Sequence, residues 1–289
     1  MIPLAEDKVR ASRKFPPALR PYLGIFRIRF VAGMQYRAAA WAGVATQFFW
    51  GTINILVFYA FYESAGMNSG AATPMTFSQL ADFVWLRQAF LALVMLWFVD
   101  NDLLETIASG DVAYELARPL SLYVFWYSRV LAYRISRTVL RCFPIFIISF
   151  ILPSPWGFSL PQSVPAAVMF IFAMTMAALL ATALSMIICL ITFATLTPRG
   201  SMLLLAVAAE FLMGAYIPIP FMPAALQRLC YILPFRYTAD FPFRIYSGNI
   251  MGIEALTGFG MQCLWLVLLI AFGAFGFRRA LGRLVIQGG

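Results

Sequence analysis

The sequence predicts an all-α protein that crosses a membrane six times. Of its 289 residues, 62% are hydrophobic and only 11% are charged, whereas charged residues make up about 25% of an average soluble domain. Six apolar stretches approach or exceed the length of about 20 residues that a transmembrane helix requires. The chain is long enough for one or two soluble domains, but these stretches leave no room for one. We therefore interpret residues 1–289 as a single transmembrane domain.

The six predicted spans are rich in aliphatic and aromatic residues. They are, in chain order, Ala38–Tyr62, Leu80–Val99, Tyr133–Pro153, Val164–Thr195, Ser201–Pro218 and Ala255–Phe277. The third span is the least apolar, because its first turns contain Arg134, Arg137 and Arg141. In the fourth span a small residue recurs once per turn, at Ala173, Ala177, Ala181 and Ser185. Such a row indicates close helix packing. We expect it to contact this chain's own helices, and a second copy of the chain is the alternative.

The distribution of basic residues predicts the orientation of the spans. The net charge is +9, from 21 Lys and Arg against 12 Asp and Glu. Cytoplasmic segments of membrane proteins accumulate Lys and Arg, which explains this charge better than nucleic-acid binding does. The loops at 63–79 and 154–163 contain no basic residue, so both termini are predicted to be cytoplasmic. Arg228, Arg236 and Arg244 are exceptions on the predicted outer side. The residues that set the orientation are Lys8, Arg10, Arg13, Lys14, Arg20, Arg27, Arg29, Arg37, Arg118, Arg129, Arg134, Arg137, Arg141, Arg199, Arg278, Arg279 and Arg283.

Residues 1–37 are predicted to form a cytoplasmic tail followed by an interfacial helix. Apolar residues recur at helical spacing in the second half of this segment, at Leu23, Phe26, Phe30 and Met34. Arginines occupy other positions of the same stretch. This pattern is typical of an amphipathic helix that lies on the inner leaflet, and a simple cytoplasmic tail is the alternative.

Residues 216–250 are predicted to form short re-entrant helices before the sixth span. Five prolines prevent one continuous helix, namely Pro218, Pro220, Pro223, Pro234 and Pro242. The segment is nevertheless too rich in aromatic and aliphatic residues for a soluble loop. We expect its helices to dip into the outer leaflet, where irregular backbone must be shielded by protein or line a cavity.

The sequence lacks the residues of most catalytic sites. It contains no histidine, which excludes Ser-His-Asp catalysis and histidine metal sites. The only lysines are Lys8 and Lys14, and neither stands in a GxxxxGK[ST] motif for ATP. The four cysteines are far apart and form no CxxC pair. We therefore predict that the chain is not an enzyme and binds no metal or cofactor of its own.

Two charged residues are predicted to lie inside the spans. Glu210 is about 15 Å from the inner end of the fifth span, near the bilayer midplane, and Arg87 is about 10 Å from the outer end of the second. A charge at such depth costs at least about 2.5 kcal/mol. We therefore expect the two spans to be adjacent, with Arg87 and Glu210 near each other. We predict a translocation pathway formed by Arg87, Glu210, Phe211 and Met213, in which Glu210 attracts cationic substrates. A structural ion pair or a protonated acid is the alternative.

A charged island follows the second span, at Asp100–Tyr123. Its sequence is DNDLLETIASGDVAYELARPLSLY, and it contains five of the twelve carboxylates. The spacing predicts two short amphipathic helices, with Asp102 capping the first and Gly110 ending it. Asp111 can cap the second, and Arg118-Pro119 ends that one. An ordinary solvated loop is the alternative, but the apolar residues of the island require a surface to pack against.

Several stretches resemble a known family of membrane proteins. They are ETIASGDVAYELARPLSLYVFWYSRVL after the second span, ILPFRYTADFPFRIYSGNI before the sixth, and the C-terminal QCLWLVLLIAFGAFGFRRALGRLVIQGG. These are similar to permeases of type-two ABC exporters, the subfamily described as "ABC-2 family transporter protein". The resemblance extends over nearly the whole chain, with the first 35 residues less informative.

The resemblance implies a six-helix permease in the bacterial cytoplasmic (inner) membrane. Such permeases pair with an identical or related permease, and each docks a separate ATPase subunit that binds ATP and Mg²⁺. The docking element is a coupling helix after the second span. Applied to this sequence, we expect apolar contacts from Leu103, Leu104, Ile107 and Tyr114 and a polar rim from Asp102, Glu105, Asp111 and Glu115, with Gly110 and Arg118 in the same segment.

The predicted function is ATP-driven export of hydrophobic or amphipathic compounds, including cationic ones, from the cytoplasm or inner leaflet. The expected partners are two ATPase copies, a second permease and membrane lipid. Lipid, glycan or peptide substrates remain open. Two alternatives belong to other classes: a membrane enzyme that acts on lipids or isoprenoids, and a membrane scaffold that recruits a cytoplasmic partner without transport.

Overall fold

The computed structural model describes residues 16, 18–66, 73–195 and 198–282, and within these ranges it is helical with no β-strand. The side chain of Arg199 and residues Lys8, Arg10, Arg13, Lys14 and Arg283, which contributed to the predicted orientation, lie outside what the structure describes, as does the terminal Gly-Gly. The α-helices are α1 Arg20–Gly33, α2 Arg37–Ser64, α3 Phe77–Ala89, α4 Leu91–Val94, α5 Asn101–Ser109, α6 Val112–Leu116, α7 Leu122–Ile151, α8 Val164–Thr195, α9 Pro198–Leu212, α10 Ala224–Ile232, α11 Asp240–Tyr246 and α12 Gly252–Leu281.

Three helices among the described residues are long and apolar enough to cross a membrane, namely α2, α8 and α12. Each coincides with a predicted span. The helices at the other three predicted spans are too short or too highly charged to meet this criterion. Helix α7 has 30 residues but contains four arginines, whereas α3 has 13 residues and α9 has 15. The six-span topology and its orientation therefore stay predictions.

The second predicted span is not one continuous helix. Helix α3 ends at Ala89, the four-residue α4 follows, and residues 95–100 are not helical, with a turn at Leu96 and Trp97. The prediction of a helix through Val99 is therefore wrong. The reason lies on α7, whose buried Arg134 donates hydrogen bonds to carbonyls of the α4 region. Because the guanidinium donates hydrogen bonds to these carbonyls, they do not need the hydrogen bonds that the backbone of a continuous helix would supply.

Two other predicted spans have different boundaries. Helix α7 begins at Leu122 rather than Tyr133. Helix α9 ends at Leu212, six residues before the predicted end at Pro218. The positive φ of +76° at Gly214 turns the chain just after α9, a backbone conformation that glycine adopts without steric cost. Glu210 consequently lies in the last turn of a helix rather than in its middle.

Short helices fill the segment before α12, as the prolines predict. A 3-10 helix at Ile219–Phe221 precedes α10, and another at Pro234–Thr238 precedes α11. Of the three arginines that were exceptions on the predicted outer side, Arg228 is exposed, whereas Arg236 and Arg244 are buried and both contact the fully buried carboxylate of Asp240. This pairing explains how a basic pair is tolerated there. Insertion of the segment into the outer leaflet stays a prediction.

Helix α8 forms the centre of the packing. Its small-residue face is buried, with Ala173, Ala177 and Ala181 fully covered and Ser185 nearly so. Helices α12, α11 and α7 pack against α8, so the expectation that this face contacts the same chain is confirmed. The buried amide of Gln262 on α12 donates to the carbonyl of Ala173 at 3.0 Å, which is possible because the small side chains let the two backbones approach closely.

Helix α1 packs along α7. The side chains that pack against the core include Tyr22 and Ile25, and the Tyr22 hydroxyl accepts a hydrogen bond from the backbone N–H of Ser121 at 3.0 Å. Leu23 is 41% exposed, so the predicted stripe through Leu23 is not the packed face. Contact of α1 with the inner leaflet stays a prediction.

Candidate functional site: the Arg87–Glu210 cavity and the charged island

A cavity of about 510 Å³ lies between α2, the end of α3, α4 and the turn after α9. We call it the Arg87–Glu210 cavity. Its buried members include Gln47, Arg87 and Gln88, and its exposed members include Trp50 and Trp97. The full lining is Thr46, Gln47, Trp50, Asn54, Arg87, Gln88, Leu91, Met95, Trp97, Glu210, Ala215 and Tyr216.

Arg87 and Glu210 line the same cavity, as their predicted proximity requires. The two side chains form no direct ion pair, and the chain just beyond α9 links them. The Arg87 guanidinium donates from Nη1 to the carbonyl of Ala215, while the hydroxyl of the next residue, Tyr216, donates to Glu210 Oε2 at 2.6 Å. Two adjacent residues of the turn after α9, Ala215 and Tyr216, therefore hold Arg87 and Glu210 in place.

The other two predicted pathway residues do not line this cavity. Phe211 is partly exposed at the surface of α9. Met213 is fully buried, and its sulfur accepts a weak hydrogen bond from the hydroxyl of Thr238 at 3.9 Å. The prediction extended the pathway along the sequence from Glu210, but residues adjacent in the sequence point to different sides of a helix, so the neighbours of Glu210 need not share its cavity.

The charged island has the predicted arrangement of two short helices, α5 and α6. Gly110 lies between them with φ +84°, and the hydroxyl of Ser109 donates to Asp111 Oδ2 at 2.7 Å. Neither Asp102 nor Asp111 caps a helix with its side chain: α5 begins one residue before Asp102, and Asp111 makes no side-chain cap bond.

The apolar face of α5 is buried within this chain. Leu103, Leu104 and Ile107 are each at most 3% exposed, and α5 packs against α8 and α9. Glu115 also turns inward, since it accepts a hydrogen bond from the indole N–H of Trp126. This corrects the expectation that these four side chains contact an ATPase, because the surface that they require is supplied by the chain itself.

The opposite face of the island is open. Tyr114 on α6 is 79% exposed, and Glu105 on α5 is also exposed. The residues of the predicted coupling set that face outward are Asp102, Glu105, Gly110, Asp111, Tyr114 and Arg118. We call these six residues the outward face.

A buried ion pair fixes the island to α7. Arg129 donates from Nε to Asp100 Oδ2 at 2.6 Å and from Nη2 to Oδ1 at 3.1 Å. Asp102 and Glu115 lie 4.0 Å from the same guanidinium, and Arg29 on α1 is 3.8 Å from Asp102. Much of the island's negative charge is thus balanced by its own chain, and, among the residues that the structure describes, the carboxylates of the outward face that form no ion pair are Glu105 and Asp111.

Arg134, one turn further along α7, fixes the segment that leads from the cavity to the island. It is fully buried. Its Nη1 donates to the carbonyls of Leu93 and Met95, both at 2.9 Å, and its Nη2 to the hydroxyl of Ser185 on α8 at 2.6 Å. Arg129 and Arg134 therefore hold the two ends of the non-helical stretch between Met95 and Asp100.

Sequence reasoning missed three residues of the candidate site. Gln47 is an amide within an apolar span, and that isolated polarity was a usable signal. Arg129 and Arg134 were counted only as evidence for orientation, although an arginine placed this close to a span usually has a specific partner. Their partners were not predictable, because they depend on the break in the second span.

No group of three or more metal-ligating side chains occurs in the part of the chain that the structure describes. A search of curated proteins gave no match. The family described as "ABC-2 family transporter protein" matches residues 48–288, which include every helix from α3 to α12 and most of α2. The chain therefore belongs to the ABC-2 transporter family and is a multi-pass membrane permease component.

Proposed function

We propose that this chain is the transmembrane subunit of an ATP-driven exporter in the bacterial cytoplasmic membrane. It moves hydrophobic or amphipathic compounds out of the cytoplasm or the inner leaflet. Two copies of a separate ABC ATPase bind and hydrolyse ATP with Mg²⁺, and a second permease, identical or related, completes the pathway. Family membership supports the permease and ATPase roles.

The observation that carries this proposal is the position of α5. The outward face of the island is free to contact a cytoplasmic partner, while the apolar face of α5 packs against α8 and α9. Helix α9 carries Glu210, one wall of the Arg87–Glu210 cavity. The stretch before α5 runs through Trp97 and Met95, which line the same cavity. One short helix is therefore connected to two walls of the cavity.

This connection defines the proposed mechanism. When the ATPase subunits close on ATP, they displace the outward face of the island and α5 with it. Since Leu103, Leu104 and Ile107 are embedded in the chain, α5 cannot move alone, and α9 moves with it. The ion pair of Arg129 and Asp100 transmits the same displacement to α7, and the cavity between the α3–α4 segment and α9 changes shape and opens outward.

The test is purification of the full chain from its native host, followed by assay of ATP hydrolysis. We expect an ABC ATPase subunit to co-purify, and we expect Glu105→Ala or a Gly110–Asp111 replacement to uncouple hydrolysis from export. A preparation that contains no nucleotide-hydrolysing subunit would exclude the proposal. Turnover of a lipid by the chain alone would favour the enzyme alternative. A bound partner without hydrolysis would favour the scaffold.

A further inference from the structure

We propose that the Arg87–Glu210 cavity binds an uncharged or zwitterionic amphipathic molecule, and that Gln47 is its polar anchor. This inference rests on the transport function proposed above and specifies its substrate class. It departs from the sequence-based expectation that Glu210 attracts cations, because the structure places a guanidinium in the same cavity.

The first argument is the charge balance of the cavity. Arg87 is 8% exposed, and its position is fixed by the carbonyl of Ala215. It offsets the negative charge of Glu210, with which it interacts. A ligand with one net charge would lose its hydration on binding, and the cavity would offer it no net opposite charge in return. Burying such a ligand is unfavourable in a site of low polarity. A neutral or zwitterionic group avoids that cost and is attracted to both charges locally.

The second argument is the unpaired polar atoms of the cavity wall. Gln47 is only 4% exposed, yet neither its amide nitrogen nor its amide oxygen has a hydrogen-bond partner. Nε of Arg87 is likewise buried without a partner. Buried polar groups in folded proteins are nearly always paired. The Gln47 amide offers two donors and an acceptor, which fits a ligand that carries both kinds of group.

The third argument is the shape and apolar content of the cavity. Its volume of about 510 Å³ falls within the range of roughly 300–1,000 Å³ that is typical of small-molecule sites. Trp50, Trp97 and Tyr216 are exposed at its surface, so an apolar body can pack on them while the polar group reaches Gln47. The ligand is therefore amphipathic.

The experiment measures binding of four matched probes to the full chain in maltoside micelles. Each probe carries one dansyl group: Nε-dansyl-lysine is a zwitterion, its Nα-acetyl amide is neutral, its amide is a cation, and its Nα-acetyl acid is an anion. Energy transfer from tryptophan to dansyl reports binding, since Trp50 and Trp97 line the cavity. We expect the zwitterionic and neutral probes to bind about 10-fold more tightly than the two charged probes.

Charge variants make the proposal specific. Arg87→Met leaves Glu210 unbalanced, so the cation should become the tightest probe. Glu210→Gln leaves Arg87 unbalanced, so the anion should become the tightest. A reversal of preference is not produced by simple loss of folding, and either variant alone tests the charge balance if the other does not fold.

Gln47→Leu should weaken the neutral and zwitterionic probes about 5-fold through loss of a hydrogen bond. Thr52→Val is the matched control, because the Thr52 hydroxyl is also buried without a partner on α2 but lines a different cavity. We expect this variant to bind as the unchanged chain does. Equal effects of the two substitutions, or a preference of the unchanged chain for the cation, would refute the proposal.

The polar group has two possible sources, a free small molecule or the headgroup of a phospholipid. Repeating the titration in phosphatidylcholine nanodiscs separates them. Equal affinity in discs and micelles supports a free molecule, and weaker probe binding in discs supports competition by a zwitterionic headgroup. None of these measurements requires an ATPase, so their failure would leave ATP-driven export standing, and absence of an ATPase would leave the binding result intact.

Discussion

Arg129 and Asp100 form a two-point ion pair at the start of helix α5, with donor–acceptor distances of 2.6 and 3.1 Å. Both side chains are at most 5% exposed. The pair joins α7 to the residue that precedes α5, so it lies between the outward face and the Arg87–Glu210 cavity. Four predictions follow from this arrangement and its neighbours.

Removal of Arg129 should destabilise the protein strongly. Arg129→Met leaves Asp100 buried without its main partner, and breaking a buried pair in this way costs about 3–5 kcal/mol. Thermal unfolding in detergent measures the effect. Arg29→Met is the control, since its 3.8 Å contact with Asp102 joins side chains that are 36% and 78% exposed and should contribute at most about 1 kcal/mol. Equal effects of the two substitutions would contradict the assigned role of the buried pair.

Replacement of Arg134 should loosen the segment that follows α3. In Arg134→Met the carbonyls of Leu93 and Met95 lose their donor, and each buried acceptor left unpaired costs about 1–3 kcal/mol. Hydrogen exchange should therefore accelerate at residues 91–99 and remain slow at 80–88. The control is Arg137→Met on the same helix, whose guanidinium stacks 4.6 Å from the ring centre of Tyr133. Uniform acceleration along the chain would indicate global unfolding and contradict the local role.

Adjacent residues of α5 should separate stability from partner binding. Leu104→Ala removes a buried side chain and should lower the free energy of unfolding by about 2–5 kcal/mol. Glu105→Ala alters an exposed position and should change it by no more than about 0.5 kcal/mol, while less ATPase is retained on the purified chain. Thermal unfolding and the ratio of ATPase to permease after affinity purification test the pair. Full ATPase retention by Glu105→Ala would remove Glu105 from the proposed contact.

Gly110 should be sensitive to backbone conformation rather than to side-chain volume. Its φ is +84°, and an added Cβ would meet no other atom within 4 Å. Gly110→Ala should therefore cost about 1–2 kcal/mol from the left-handed conformation alone. Gly110→Asn should cost less, because asparagine tolerates this region. Unfolding midpoints of the two variants test the order, and a more stable alanine variant would contradict it.

The sequence was sufficient for features that depend on local pattern. Proline spacing predicted the short helices after α9, and Gly110 predicted the break in the island. The proximity of Arg87 and Glu210 was also predictable, because a charge inside an apolar span requires a partner. The buried small face of α8 followed from the same kind of local reasoning.

The sequence was insufficient where a distant side chain replaces local hydrogen bonds. The apolar stretch through Val99 satisfies every local criterion for a helix, and only the guanidinium of Arg134 accounts for its break. The burial of part of the predicted coupling set was not foreseen for a related reason. Amphipathicity shows that Leu103, Leu104 and Ile107 need a covering surface, but it does not show which molecule supplies that surface.

Helix α5 packs against the protein through one face and exposes the other, so the exposed residues can be changed without changing the packed ones. If the proposed coupling holds, exchanging only Glu105 and Tyr114 for the residues of a related permease should change which ATPase binds, because both side chains are exposed and neither makes a hydrogen bond, within the described residues, that holds α5 or α6. Replacing the whole island would also change Leu103, Leu104 and Ile107, and this would disturb the packing of α5 against α8 and α9.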